Sequence, residues 1–191
     1  MRDMGNALVT GGADGIGFAI AQALAAAGYR VTIADLDGEK AVGRAAELGE
    51  GHRGLACDIT DEAQAVAVCA SAPFDVLVNN AGIGDSHLPT LEQGLDAFRK
   101  VLDVHLSGTF LMSREVARGM VARGSGAIVN LSSIAGLTGL PKRNAYGAAK
   151  AGVVAMTRAM ACEWAGKGVR INAVAPAFVE TALVRKLADA G

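Results

Sequence analysis

The stretch Thr10-Gly11-Gly12-Ala13-Asp14-Gly15-Ile16-Gly17 constrains the fold of this chain more than any other. It follows a short apolar run, Ala7-Leu8-Val9-Thr10, and opens an Ala-rich segment from Gly15 to Ala27 that Gly28 closes. A strand that breaks at glycines and restarts as a helix leaves the first helical N–H groups without intrahelical partners. Glycines at that turn let an anion approach the backbone with no Cβ in the way. The helix dipole favours negative charge at the same end. The loop therefore reads as a seat for a pyrophosphate, held between a strand and the helix that packs on it.

The rest of the chain repeats the alternation. Strand signals fall at Arg30 to Ala34, Gly54 to Cys57, Asp75 to Val78, Ala127 to Leu131 and Val169 to Val174. Helix signals fall at Gly38 to Leu48, from about Asp61, over one long stretch from Leu91 to Ala122, and from Asn144 to Ala165. Six strands alternating with helices predict right-handed βαβ units. The expected fold class is α/β: a Rossmann-type, doubly wound parallel sheet with helices on both faces in one domain. Such sheets bind ligands outside the carboxyl ends of their strands, at the topological switch point. Hydrophobic residues make up 51% of the 191 residues and aromatics only 4%, with 25 glycines, which suits small residues packed closely on a parallel sheet.

Composition also excludes. The net charge is -1 and no Lys/Arg block tracks a phosphate backbone, so nucleic acid is not an expected partner. The apolar helix near the N-terminus is too short to cross a bilayer, so no membrane partner is expected. Cys57, Cys69 and Cys162 are scattered with no CxxC pair, which argues against a disulfide framework or a zinc site and suits a reducing cytoplasm.

The second strand ends at Asp35-Leu36. A carboxylate there accepts hydrogen bonds from ribose hydroxyls and repels a 2′-phosphate, and Asp14 adds negative charge nearby; both point to NAD. The cofactor loop has the spacing TGxxxGxG rather than GxGxxG. Asp58-Ile59 follows the third strand and Asn79-Asn80-Ala81-Gly82 the fourth. Further on come Ser133, at the end of Val-Asn-Leu-Ser-Ser, and Tyr146-Gly-Ala-Ala-Lys150. In this order the motifs resemble those of the short-chain dehydrogenase/reductase family. The resemblance covers essentially the whole chain. It implies a cofactor site of Gly11, Asp14, Gly15, Ile16, Gly17, Asp35, Leu36, Asp58, Ile59, Asn80, Ala81 and Gly82. In that family the aspartate matching Asp58 sits near the adenine amino group and its neighbour lines the pocket. Pro176-Ala-Phe-Val-Glu-Thr181 resembles the loop that covers the nicotinamide, so Pro176, Val179 and Thr181 join the site, with Ala177 where the family usually has glycine.

Tyr146 and Lys150 stand four apart, which puts both on one helix face. An ammonium beside a phenol favours the phenolate, which suits general acid/base work. The resemblance makes Ser133, with Ser132 as the alternative, the hydrogen-bond donor to the substrate oxygen. Tyr146 becomes the proton carrier, and Lys150 the residue that tunes it and holds the nicotinamide ribose. The implied activity is hydride exchange between NAD and a small alcohol or ketone; a catalytically silent NAD-binding sensor or scaffold is the second reading. His105, in His-Leu-Ser-Gly-Thr-Phe, stands where the family has asparagine at a helix kink whose carbonyl holds a relay water. It joins the catalytic set either through that backbone role or as an added titrating group, or it is simply a polar residue tolerated at a kink. The family pattern continues into a substrate lid and a seventh strand that these 191 residues do not include, so the sequence reads as C-terminally incomplete. Relatives pair their two long helices, so a homodimer or homotetramer is expected; Ala149, Gly152 and Ala159 are small residues that allow close helix approach or equally pack inside the monomer.

Overall fold

A computed structural model describes residues 5–179. Six strands form one parallel sheet: β1 (Asn6–Thr10), β2 (Arg30–Asp35), β3 (Arg53–Ala56), β4 (Phe74–Asn79), β5 (Gly126–Leu131) and β6 (Val169–Val174). Their order is β3-β2-β1-β4-β5-β6, and every neighbouring pair is parallel. The order reverses between β1 and β4, which fixes the switch point there. The fold is the Rossmann-type α/β sheet that the alternation predicted.

Side chains alternate across each strand and so feed two cores. Leu8, Leu77 and Ile128 point into one, with Met112, Val116, Met120, Met160 and Trp164. Val9, Val31, Ile33 and Val78 point into the other, with Ala21, Ala41 and Ala45. Helices α1 (Gly15–Ala26) and α2 (Gly38–Glu47) cover the second face. The first is covered by α3 (Glu62–Ala70), α5 (Thr109–Arg123) and α6 (Asn144–Trp164). Burying each Leu, Ile, Val or Met contributes about 1.5–3 kcal/mol, so these central strands anchor the sheet.

One expected element is corrected. The single long helix over residues 91–122 is four pieces: a 3₁₀ turn (Thr90–Glu92), α4 (Leu95–Leu102), a π-helical turn (Asp103–Gly108) and α5. Gly94 separates the first two. The π turn packs an extra residue into the helix. There Gly108 lies so close to Ile59 that a Cβ would stand 2.6 Å from Ile59 Cδ1. The Thr109 hydroxyl donates to the His105 carbonyl at 2.8 Å and satisfies an oxygen that the distortion frees. Of the two readings of the small residues on α6, internal packing holds for two of them. Ala149 is fully buried inside the chain and Gly152 faces Leu106, so they serve internal packing; Ala159 is exposed.

A polar thread crosses the first core. Asn79 Nδ2 donates to Ser113 Oγ and to Asn130 Oδ1, both at 2.8 Å, and Asn130 Nδ2 donates to Thr157 Oγ1 at 2.9 Å. All four residues are buried. The thread ties β4 and β5 to α5 and α6 just beneath the strand ends where the motifs lie.

Candidate active site

The loop after β1 is built for close approach. Gly11 has φ +60°, and a Cβ there would stand 2.7 Å from Ala81 Cα. At Gly17 a Cβ would stand 2.1 Å from the Gly11 carbonyl oxygen, so the loop closes tightly on the first turn of α1. Asn80 locks the turn from the far side of the switch point: Nδ2 donates to the Thr10 and Gly11 carbonyls at 3.1 and 2.9 Å. The Thr10 hydroxyl accepts the Asn80 and Ala81 N–H groups, each at 3.1 Å. Asn80 and Ala81 thus hold the loop's shape.

At the end of β2, Asp35 Oδ2 accepts the Ala13 N–H at 3.0 Å and Oδ1 the Asp37 N–H at 3.3 Å. A carboxylate has about four acceptor positions, so both oxygens retain capacity for ribose hydroxyls. Leu36 beside it is 75% exposed, an apolar face at the strand end. The cradle between Gly11 and Gly17, the positive end of α1 and this carboxylate fit an adenine dinucleotide. Asp14 is a different matter. Its carboxylate caps α1 through the Gly15 N–H at 2.8 Å and pairs with Lys40 at 2.8 Å. Lys40 holds its carboxyl below the usual range. Its charge thus faces an ammonium in an ion pair open to solvent, which the sequence position alone did not reveal.

Asp58 accepts the Thr60 N–H at 2.9 Å and hydroxyl at 2.7 Å, and so shapes the turn after β3. The Ile59 side chain is buried in the core rather than lining an open pocket. Pro176 is joined to the catalytic strand end, because its carbonyl accepts the Ile134 N–H at 3.0 Å. Val179 is exposed; Thr181 lies outside the described residues.

The catalytic candidates meet above β5. Ser132 is buried, and its hydroxyl donates to the Lys150 carbonyl at 2.9 Å. Ser133 is half-buried and only caps a short 3₁₀ turn, accepting the Ala135 N–H at 3.2 Å. Its hydroxyl proton is therefore the one free to face a ligand. Tyr146 and Lys150 share one face of α6, with Lys150 Nζ 5.6 Å from the Tyr146 ring centroid. The ammonium donates to the Leu131 carbonyl at 2.5 Å. Burial pushes it down to about 8.

His105 is buried, and its ring meets Tyr146 edge-on at 5.1 Å between centroids. Its Nε2 lies 2.9 Å from the Ile83 oxygen and 3.1 Å from the Ile83 nitrogen, while Nδ1 has no partner. A Cβ at Gly82 would stand 2.3 Å from the imidazole Cε1, so the ring fits only because the NNAG glycine makes room. Burial, with the nearby Lys150 charge, pushes the imidazole down to about 4. It is neutral near pH 7, which corrects the idea of an added titrating group there. Two residues that pattern reading passed over stand beside Tyr146. Asp85 Oδ2 accepts the Tyr146 N–H at 3.2 Å, and the Arg143 guanidinium lies 5.2 Å from the Tyr146 ring centroid. Asp85 follows the NNAG motif by only three residues, and Arg143 precedes Tyr146 by three, so proximity to a motif was the available signal.

The pattern of the short chain dehydrogenase family matches residues 5–190. The chain belongs to this family. It is 45% identical to D-threitol dehydrogenase of Mycolicibacterium smegmatis (strain ATCC 700084 / mc(2)155) over 96% of its own length and 73% of the relative's. It is also 45% identical to cis-4-hydroxycyclohexanecarboxylate dehydrogenase of Sinomonas cyclohexanicum, over 95% and 76%. A solved short chain dehydrogenase/reductase family protein superposes with a TM-score of 0.93 at 38% identity, over 98% of this chain and 80% of that one. The chain thus spans about three quarters of these two curated relatives. This short-chain dehydrogenase is an oxidoreductase acting on CH–OH groups. No described helix is long and apolar enough to cross a membrane.

Proposed function

We propose that this short-chain dehydrogenase interconverts a small alcohol and its ketone using NAD(H), with Tyr146 as the general acid/base. The observation that carries the reading is the convergence of Ser133, Tyr146 and Lys150 at the carboxyl end of β5, beside the glycine cradle of β1. When bound, the nicotinamide accepts or returns the hydride.

The chain's own residues do the rest. Gly11, Gly15, Ile16 and Gly17 receive the pyrophosphate. Asp35 reads the adenosine ribose, and its charge favours NAD over a 2′-phosphorylated cofactor. Leu36, Asp58, Ala81 and Gly82 shape the adenine and ribose walls, with the buried Ile59 side chain packed behind them. The Ser133 hydroxyl holds the substrate oxygen and steadies charge that develops on it. Tyr146 Oη takes the alcohol proton in oxidation and returns it in reduction. Lys150 keeps donors for the nicotinamide ribose beyond the one it gives to Leu131, since an ammonium has three. Neutral His105 braces the Tyr146 ring edge and the Ile83 backbone. Pro176, Val179 and Thr181 cover the nicotinamide side. The same reading places the protein in the cytoplasm as a homodimer or homotetramer.

The direct test is Tyr146→Phe. Turnover should fall by about 10²–10⁴-fold, the usual contribution of a positioned proton carrier, while NADH binding, followed by nicotinamide fluorescence, stays within a few-fold. Unchanged turnover would remove Tyr146 from the chemistry.

A further inference from the structure

We infer that Arg143 makes the substrate pocket an oxyanion subsite, so that the preferred substrate is an alcohol carrying a carboxylate, sulfonate or phosphate a few bonds from the reacting carbon. The inference deepens the dehydrogenase reading and rests on it.

The Arg143 guanidinium lies 5.2 Å from the centroid of the Tyr146 ring. It is half-buried at the amino end of α6, one turn before the tyrosine it overlies. Among the described residues it makes no salt bridge and no side-chain hydrogen bond; the aromatic face is its one recorded contact. Several other arginines are paired: Arg44 with Glu47, Arg114 with Glu62 and Glu115, and Arg118 with Glu115. Asp85, which accepts the Tyr146 N–H at 3.2 Å, forms no ion pair with Arg143. The remaining charged neighbour is Lys150, also a cation, 5.6 Å from the same ring centroid.

Helix stability does not explain the position. A cation at a helix amino end opposes the dipole, and the residue before it, Lys142, adds another. Lys142 itself is one of two non-glycine residues among those described with positive φ, at +65°. A cation–π contact fixes a guanidinium while leaving its edge N–H donors unspent. Those donors match two oxygens of an oxyanion at once. With the guanidinium stacked over the ring that carries Oη, an anion it grips lies close to the carbon that Tyr146 serves. An uncharged polyol would leave a half-buried cation without a counter-ion; a hydroxy acid would supply one.

The test is a matched pair that differs only in charge: 4-hydroxycyclohexanecarboxylate and its carboxamide, each assayed with NAD+ on the purified protein, alongside neutral polyols and NADH binding. A hydroxyalkyl sulfonate and a hydroxyalkyl phosphate distinguish the three anion sources. The wild type should favour the acid over the amide by at least tenfold in kcat/KM. Arg143→Gln should reduce that ratio by at least tenfold, and Arg143→Lys should keep part of it. The ratio is the readout, because damage to Tyr146 packing lowers both rates together and leaves the ratio alone. Equal rates on acid and amide, or an unchanged ratio in Arg143→Gln, overturns the subsite. If polyols are oxidised meanwhile, the dehydrogenase reading stands. A protein that neither binds NADH nor oxidises any alcohol overturns both.

Discussion

Replacing His105 by Asn should remove a specific part of the protein's acid sensitivity. The folded imidazole sits at about 4, pushed down by burial and then by Lys150, against an unperturbed value near 6.5. Between these values the unfolded chain binds a proton that the folded chain does not, so stability falls as pH falls through this window. The cause is visible at the ring. Nε2 is already engaged with Ile83, and a proton on Nδ1 would be a buried donor with no acceptor. With about 1.4 kcal/mol per pKa unit, the cost is near zero at pH 7, about 2 kcal/mol at pH 5 and about 3 kcal/mol below pH 4. That is a large share of the roughly 5–15 kcal/mol available to a domain. An asparagine amide is polar but does not titrate. Urea unfolding at pH 7, 6 and 5, followed by circular dichroism, should show wild type losing about 2 kcal/mol more than His105→Asn over that range. Parallel pH profiles would mean that the folded imidazole is protonated near its ordinary pH, and the argument from its orphaned nitrogen would fail.

Three further outcomes are expected. Asp35→Ser should shift cofactor selectivity toward NADP by at least tenfold in kcat/KM; unchanged selectivity would show that this carboxylate does not read the ribose. Asn130→Ala removes two buried hydrogen bonds, to Asn79 and Thr157. At about 1 kcal/mol per bond, with more for a donor left unpaired, the loss should be about 2–3 kcal/mol, or roughly 5–10 °C in Tm; a shift under 2 °C would mean that the thread carries no stability. Gly17→Ala forces a Cβ to within 2.1 Å of the Gly11 carbonyl. The loop must move, so NADH affinity measured by fluorescence titration should drop at least tenfold with helix content retained, and wild-type affinity would refute a tight cradle.

What could be read from the sequence was whatever a short window encodes. The strands showed as apolar runs stopped by small or polar residues such as Gly11, Asp35, Asp58, Asn79 and Ser132, and their boundaries in the structure differ by a residue or so. The loop Thr10 to Gly17 showed because glycines at a strand–helix turn have a physical reason. The π turn at Asp103–Gly108 did not show, because one extra residue in a helix leaves the apolar spacing almost unchanged. Nor did the pairing of Asp14 with Lys40, which spans 26 positions, or the burial of Ile59 under Gly108. The thread from Asn79 through Asn130 to Thr157 joins residues 51 and 27 positions apart. Each alone looked like an unremarkable polar residue in a strand or helix. Arg143 was passed over for the same reason: its meaning lies in having no counter-ion among the described residues, a property of space rather than of spacing.

The choice between Ser132 and Ser133 shows how the two kinds of information combine. Both serines end the same strand, and spacing to Tyr146 cannot separate neighbours by itself. Lys150 separates them. Its ammonium donates to the Leu131 carbonyl while its own carbonyl receives the Ser132 hydroxyl. One residue of α6 is thus stitched to two consecutive residues at the end of β5. That double stitch consumes Ser132 and turns the strand so that Ser133, pointing the opposite way, is left facing the cleft. It also fixes Tyr146, one turn earlier on the same helix, relative to Ser133 without help from any covering loop. The three groups of the proposed chemistry are therefore carried by β5's end and α6, elements held together by this stitch.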